Sequence, residues 1–363
     1  MKKFYKNIYY SFVICSILFV LITTNYLNLN DIIFLANQTD AISYSEIAKM
    51  APELPKDSNV IIQHVAQRFL IHYIVGSIAD FVNINFFEIY KIVNFIFVLL
   101  YIYVIFFLSK TLKLDCKESI LFFSILFFNP YIVRYHLFNP VQAHDMLFFS
   151  FGLLFAYSVI YKKYVSNLII TLVSVFLRQT SIALFIGSSL NLLINKKIKL
   201  FFLLLIVYLS TLALTIYVGK KISLNSFPSH LMYAIFYYDF NQIEKLIKFI
   251  LLGLFPFVPL TILILGKLNS FNYYNAFILF LVCAMMIGQP ILGGPNGSLN
   301  NVGRIANLCY PILTVLVFYV FNFKKFVNFK FLFYPFIIFM FLWSLHPTFS
   351  IFDFFGIFRF YNY

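Results

Sequence analysis

The chain has 363 residues, of which 62% are hydrophobic and 11% charged, and its mean hydropathy is +0.89. A typical soluble domain carries about 25% charged residues, and a soluble protein of this length has too little interior for so much apolar surface. A soluble enzyme, a disordered chain and a disulfide scaffold are thereby excluded, which leaves an all-α polytopic membrane protein whose net charge of +14 must be explained by position.

A membrane span needs about 20 mostly apolar residues. The first candidate runs from Ile8 to Leu29 behind Lys2, Lys3 and Lys6. No small-x-small cleavage site closes it, so it reads as an uncleaved anchor with a cytoplasmic N-terminus. Further spans are expected at 89–109, 118–137, 145–161, 165–177, 180–195, 200–219, 248–266, 271–290, 305–323 and 331–346. Counted separately they make about eleven transmembrane helices; the short pair at 165–177 and 180–195 is open to being one bent helix. Segment 61–82 is apolar but carries Gln63, His64, Gln67, Arg68, His72 and Asp80. His64, Arg68, His72, Gly76 and Asp80 recur at steps of four, along one helix face. That pattern suits an amphipathic surface helix better than a span.

Charge supports the choice. With 61–82 on the surface, the loops holding Lys110/Lys113/Lys117, Lys162/Lys163, Lys196/Lys197/Lys199, Lys267 and Lys324/Lys325/Lys330 all fall in the cytoplasm, as the positive-inside rule requires. The cytoplasmic segments then hold fifteen lysines against Asp115 and Glu118, and nearly all of the +14 lies there. All five arginines (Arg68, Arg134, Arg178, Arg304, Arg359) fall on the external side. The external segments are 30–88, 134–145, 220–247, 291–304 and an aromatic C-terminal tail. No soluble domain, repeat or flexible linker interrupts a single membrane domain over 1–363. Cys15, Cys116, Cys283 and Cys309 have no paired spacing and read as apolar filler.

Ionisable groups near a membrane are costly, so each external one is a candidate. Asp40 opens TDAISYSEIAKM, with Tyr44 and Ala48 at steps of four; a helix N-cap is an equal reading. The stretch NPYIVRYHLFNPVQAHD (129–145) holds two Asn-Pro helix breakers and concentrates Arg134, His136, His144 and Asp145. Arg178 in VSVFLRQTSIALF has no acidic neighbour in sequence. A buried guanidinium needs an anion, either an internal Asp40, Asp80 or Asp145, or a phosphate held bidentately. Arg304 follows the run GGPNGSLNNVGR, which lacks the P-loop spacing; it reads equally as a ligand contact or a snorkelling side chain. The six histidines form no HExxH pattern, there is no GxSxG, and no basic-aromatic pattern for nucleic acid. A divalent ion between Asp40 and Asp145 is conceivable, but none is required.

The order of these residues resembles the GT-C class of membrane glycosyltransferases, which includes lipid-phosphate-sugar-dependent mannosyl and aminoarabinose transferases. Asp40, Tyr44 and Ala48 match its early acidic pattern; Arg68 matches a residue on its surface helix. Arg134 and Asp145 match a later external loop, Arg178 in LRQTS a mid-module basic step, and Arg304 with Pro311 a late one. The resemblance covers 1–195, with further C-terminal helices over 196–363. It departs from the class in that Asp40 is followed by Ala41 and not by a second acid. The resemblance implies a polyprenyl-phosphate sugar donor, a lipid or glycan acceptor, and transfer with inversion on the external face of a bacterial inner (plasma) membrane. Asp40 would be general base. Asp145 would orient the acceptor or support a basic residue. Arg178, Arg68, Arg134 and Arg304, with Tyr44, His64 and His144, would hold substrate and leaving phosphate. Two other readings stand beside it: an undecaprenyl-linked polysaccharide polymerase or ligase, and a lipid or solute transporter or flippase. The polymerase predicts arginines in a large late loop, and 220–247 has none; the transporter predicts midplane charges in two related halves.

Overall fold

The computed structural model describes residues 2–24, 26, 39–225, 268–292 and 307–345. The expected span at 248–266, Arg304 and the aromatic C-terminal tail lie outside the described residues. What is described is almost wholly helical. In chain order the helices are α1 (Lys2–Thr23), α2 (Thr39–Met50), α3 (Phe69–Val82), α4 (Phe86–Thr111), α5 (Cys116–Phe127), α6 (Ala143–Ile160), α7 (Tyr164–Ser174), α8 (Ser181–Ile194), α9 (Ile198–Ile222), α10 (Tyr273–Leu292), α11 (Tyr310–Val320) and α12 (Lys330–Trp343). Two short strands, β1 (Ser58–Ile62) and β2 (Ser223–Asn225), pair in parallel and tie the first loop to the end of α9.

Among the described residues three stretches are long and apolar enough to cross a membrane: Phe86–Thr111, Pro140–Ile160 and Ile198–Ile222. A fourth is available if Cys116–Phe127 and Pro130–Phe138, bent by 45°, act as one. The other apolar helices run 10–17 residues. The hydropathy of a segment does not reveal where its helix breaks, which is why about eleven equal spans are expected from sequence and a mixture of long and short helices is found.

The pair at 165–177 and 180–195 is the clearest case. It is two helices folded back on each other, rather than one bent helix. The Thr171 and Ser188 hydroxyls meet at 2.6 Å, and Lys197 Nζ lies 5.5 Å over the Tyr164 ring. α7 and α8 are therefore an antiparallel hairpin with its tip at 175–180. Its arms of 11 and 14 residues are about 17 and 21 Å long at ~1.5 Å per residue, short of the ~30 Å hydrocarbon core.

The loops holding Lys110/Lys113/Lys117, Lys162/Lys163, Lys196/Lys197/Lys199 and Lys324/Lys325/Lys330 gather at one end of the bundle. Tyr161 Oη donates to Thr111 O (2.7 Å), Asn275 Nδ2 to Ile160 O (3.3 Å), and Lys117 Nζ to Asn328 Oδ1 (3.5 Å). α5 starts there with a capping box, in which Asp115 and Glu118 each accept the other's backbone N–H.

Segment 61–82 is not one helix. A turn over Gln63–Ala66 ends at Gln67, and α3 starts after Arg68. The face expected from steps of four is therefore broken after His64. His72 and Gly76 are buried while Asp80 is exposed. The stretch 129–145, whose part 134–145 is expected as an external segment, is buried almost throughout. Asn129-Pro130 starts a π-helical turn to Arg134, and Asn139-Pro140 starts a 3-10 turn into α6. Its Val133, Leu137 and Val141 bury their side chains, and the polar residues between them are carried inside.

A single close approach sets the angle of α2 on α3. A Cβ at Gly76 would overlap the Ala48 carbonyl; only glycine permits this backbone contact. Gly76→Ala must therefore separate the two helices, at a cost of about 1–3 kcal/mol or more. Gly288→Ala, where nothing lies within 4 Å, is the control. Thermal unfolding in detergent should show a clear drop for the first and none for the second.

Candidate functional site

Four pieces of chain, distant in sequence, converge at the end of the bundle opposite the basic loops. α2 contributes Asp40 and Tyr44. The turn before α3 contributes Gln67 and Arg68. The start of α6 contributes His144 and Asp145. The tip of the α7–α8 hairpin contributes Arg178 and Gln179.

Asp145 and Arg178 form the centre. Their side chains are 1% and 5% exposed. Arg178 donates from Nε to Asp145 Oδ1 and from one Nη to Oδ2, a side-on bidentate pair. Of the three carboxylates open to Arg178 from sequence, Asp145 is the one it meets. His144 Nε2 lies 3.2 Å from Oδ1, and His136 Nε2 lies 3.7 Å from Oδ2. A bidentate geometry with further polar neighbours is what offsets the desolvation of two buried charges.

Arg68 is also buried but is held by neutral groups. Its Nε and Nη2 both donate to Gln179 Oε1, at 3.0 and 2.7 Å. Its Nη1 donates to Tyr44 Oη at 2.7 Å. Among the described residues no carboxylate lies within ion-pair distance of it. Burial lowers the Arg68 pKa from its ordinary value, while the Tyr44 phenol and the charges of Asp40 and Asp145 act in the opposite sense. A guanidinium stays protonated regardless.

Tyr44 joins the two arginine systems, since its hydroxyl also lies 3.3 Å from His144 Nε2. The Tyr44 ring stacks on His72, with centroids 4.0 Å apart and planes 18° apart. His72 Nδ1 meets Tyr90 Oη at 2.7 Å. Burial, aided by the charge of Arg68, holds the His72 imidazole neutral and pushes its pKa down to about 3.

The other residues expected from sequence fall as follows. Asp40 is half-buried at the start of α2, and its charge acts on Tyr44 and Arg68. His64 contributes its backbone carbonyl, which accepts from Gln179 Nε2 at 2.7 Å. Arg134 turns elsewhere. Its Nη1 and Nη2 donate to Thr23 Oγ1 (2.8 Å) and Thr23 O (3.0 Å). It caps the C-terminus of α1, where a cation also suits the helix dipole. Arg304 lies outside the described residues. His72, Tyr90 and Gln179 are not among the site residues that the sequence offers, and His136 enters there only as a member of the 129–145 cluster. His72 stood on the four-step face, but a neutral Gln179 gives no signal. Among the described residues no group of three or more His, Cys, Asp and Glu is arranged to hold a metal ion.

No family model, curated protein sequence or solved structure matches the chain.

Two outcomes follow from this geometry. Asp145→Leu or Arg178→Met removes one partner of this buried pair, which costs about 3–5 kcal/mol. The double variant Asp145→Leu/Arg178→Met removes both charges and should recover much of that loss; unfolding in detergent across the four proteins gives the coupling. His72 provides a pH test. The unfolded chain takes up a proton as pH falls through about 6.5, whereas folded His72 resists until about 3. Its stability contribution is thus complete above about 6.5. Below that it is lost at up to ~1.4 kcal/mol per pH unit. The melting temperature of His72→Gln should fall less steeply than that of the wild type between neutral pH and mild acid.

Proposed function

We propose that this chain is an integral membrane glycosyltransferase that moves a sugar from a polyprenyl-phosphate donor to an acceptor hydroxyl at the external end of the bundle. The observation that carries the reading is a buried guanidinium, Arg68, whose bonded partners are neutral and on which the charge of the half-buried Asp40 acts. Asp40 is the acid assigned as the base. Among the described residues no carboxylate lies within ion-pair distance of Arg68. The resemblance to the GT-C class joins the same two residues in one module.

The step balances simply. Asp40 accepts the proton of the acceptor hydroxyl as its oxygen attacks the anomeric carbon. A new C–O bond forms, and the bond from that carbon to the phosphate oxygen breaks. The leaving polyprenyl phosphate takes the electron pair, and Arg68 stabilises the charge that develops on it. Attack opposite the leaving group inverts the anomeric centre. Asp145 has the other role, as the fixed counter-charge of Arg178.

Placement favours a lipid donor. The α7–α8 hairpin starts among the basic loops, and its arms are shorter than the bilayer core. The positive-inside rule puts those loops in the cytoplasm, so the tip carrying Arg178 and Gln179 lies near the far leaflet of the plasma membrane. Whether the arms count as two of about eleven crossings or as a re-entrant pair, the chain returns to the same side and the orientation is unchanged.

The test is transfer from polyprenyl-phosphate-sugar donors by the purified protein. Asp40→Asn should lower the rate by about 100-fold or more, the usual contribution of a general base, with unfolding unchanged. Full activity in Asp40→Asn would remove it as the base. Movement of substrate across vesicles with no transfer would make the protein a transporter.

A further inference from the structure

We infer that Gln179 is the positioning residue of the anion clamp: it fixes the Arg68 guanidinium so that its remaining N–H groups face a phosphate. This rests on the proposed function above and assigns a residue that neither charge nor sequence pattern distinguishes.

The geometry is specific on three counts. The first is the orientation of the Gln179 amide. Its Nε2 donates to His64 O at 2.7 Å and to Gln67 Oε1 at 3.0 Å. An amide flip would set Oε1 against two carbonyl oxygens and the NH2 group against the guanidinium. The network therefore dictates that Oε1 faces Arg68. The second is donor bookkeeping on Arg68. A guanidinium has five N–H donors; Gln179 takes two of them and Tyr44 takes one. The two that remain belong one to Nη1 and one to Nη2, and guanidinium N–H groups suit phosphate oxygens. The third is charge. Gln179 grips the same edge that a carboxylate would grip, as Asp145 does on Arg178, but leaves the positive charge uncompensated. The adjacent residues Arg178 and Gln179 thus do opposite things at one hairpin tip. One has its charge cancelled by Asp145. The other holds a charge in place without cancelling it.

The experiment measures binding of farnesyl phosphate and of farnesol to the purified protein in detergent, with inorganic phosphate as competitor. The wild type should bind the phosphate more tightly than the alcohol. Gln179→Glu keeps the grip on Arg68 but neutralises it, while giving up the donor to His64 O and Gln67 Oε1; affinity for farnesyl phosphate should fall at least about tenfold, with farnesol binding unchanged. Gln179→Ala, which loosens the grip, should also weaken the phosphate selectively. A merely structural role would move both ligands together. Phosphate selectivity that survives both substitutions overturns the role of Gln179 and leaves the proposed donor standing. No selectivity in the wild type overturns the clamp and the donor together. Equal competition by inorganic phosphate supports the clamp but takes the lipid out of the reading.

Discussion

The arrangement at the head of the bundle depends on one ion pair. Asp145 and Arg178 are both buried, and neither could be there without the other, since an isolated charge in an apolar interior costs several kcal/mol. The pair fastens the start of α6 to the tip of the α7–α8 hairpin. Everything else in the cluster is built outward from that joint. His144, next to Asp145, reaches Tyr44; Gln179, next to Arg178, reaches Arg68. Two adjacent residues on each side of one salt bridge thereby bring α2 and the turn before α3 into register.

This organisation separates two tasks that the sequence leaves together. A pair of arginines near carboxylates can be read as two phosphate ligands or as two internal bridges. The contacts divide them. Arg178 is satisfied within the protein, while Arg68 is oriented by a glutamine and a tyrosine. On the proposed reading, neutral partners are what leave the second charge for a ligand. The stacked Tyr44–His72 pair stiffens the phenol that completes this hold, and Gly76 sets how near α3 can bring it.

Much of this was legible in the residues, and the remainder was hidden for identifiable reasons. Hydropathy located the long helices, because α4, α6 and α9 are continuous apolar runs. It could not show that 165–195 folds back on itself, since a turn built from Leu177, Arg178 and Gln179 has no glycine or proline to mark it. Arg178 announced its need for an anion by its isolation, but the 33 residues that separate it from Asp145 conceal the partner. The four-step face over 64–80 found His72 and Gly76, yet it ran through a helix break, because periodicity persists across a turn that keeps the same residues buried. Arg134 was singled out for the right chemical reason, a cation needing oxygen atoms. Its oxygen partners include those of Thr23 at the end of α1, which its place in the sequence does not reveal.

The shortness of the hairpin has a consequence for how the site senses its surroundings. Exposed lysines at that end of the molecule, Lys49, Lys56, Lys220 and Lys221, stand in water, where ions screen a charge within about 10 Å at ordinary salt. Arg68 is sunk beneath them among helices that mobile ions do not enter. Its field is therefore less screened than theirs. On the reading proposed above, an anion coming to Arg68 from the bilayer would meet that charge before salt and the lysines could screen it, so depth would distinguish a lipid-borne ligand from one in solution.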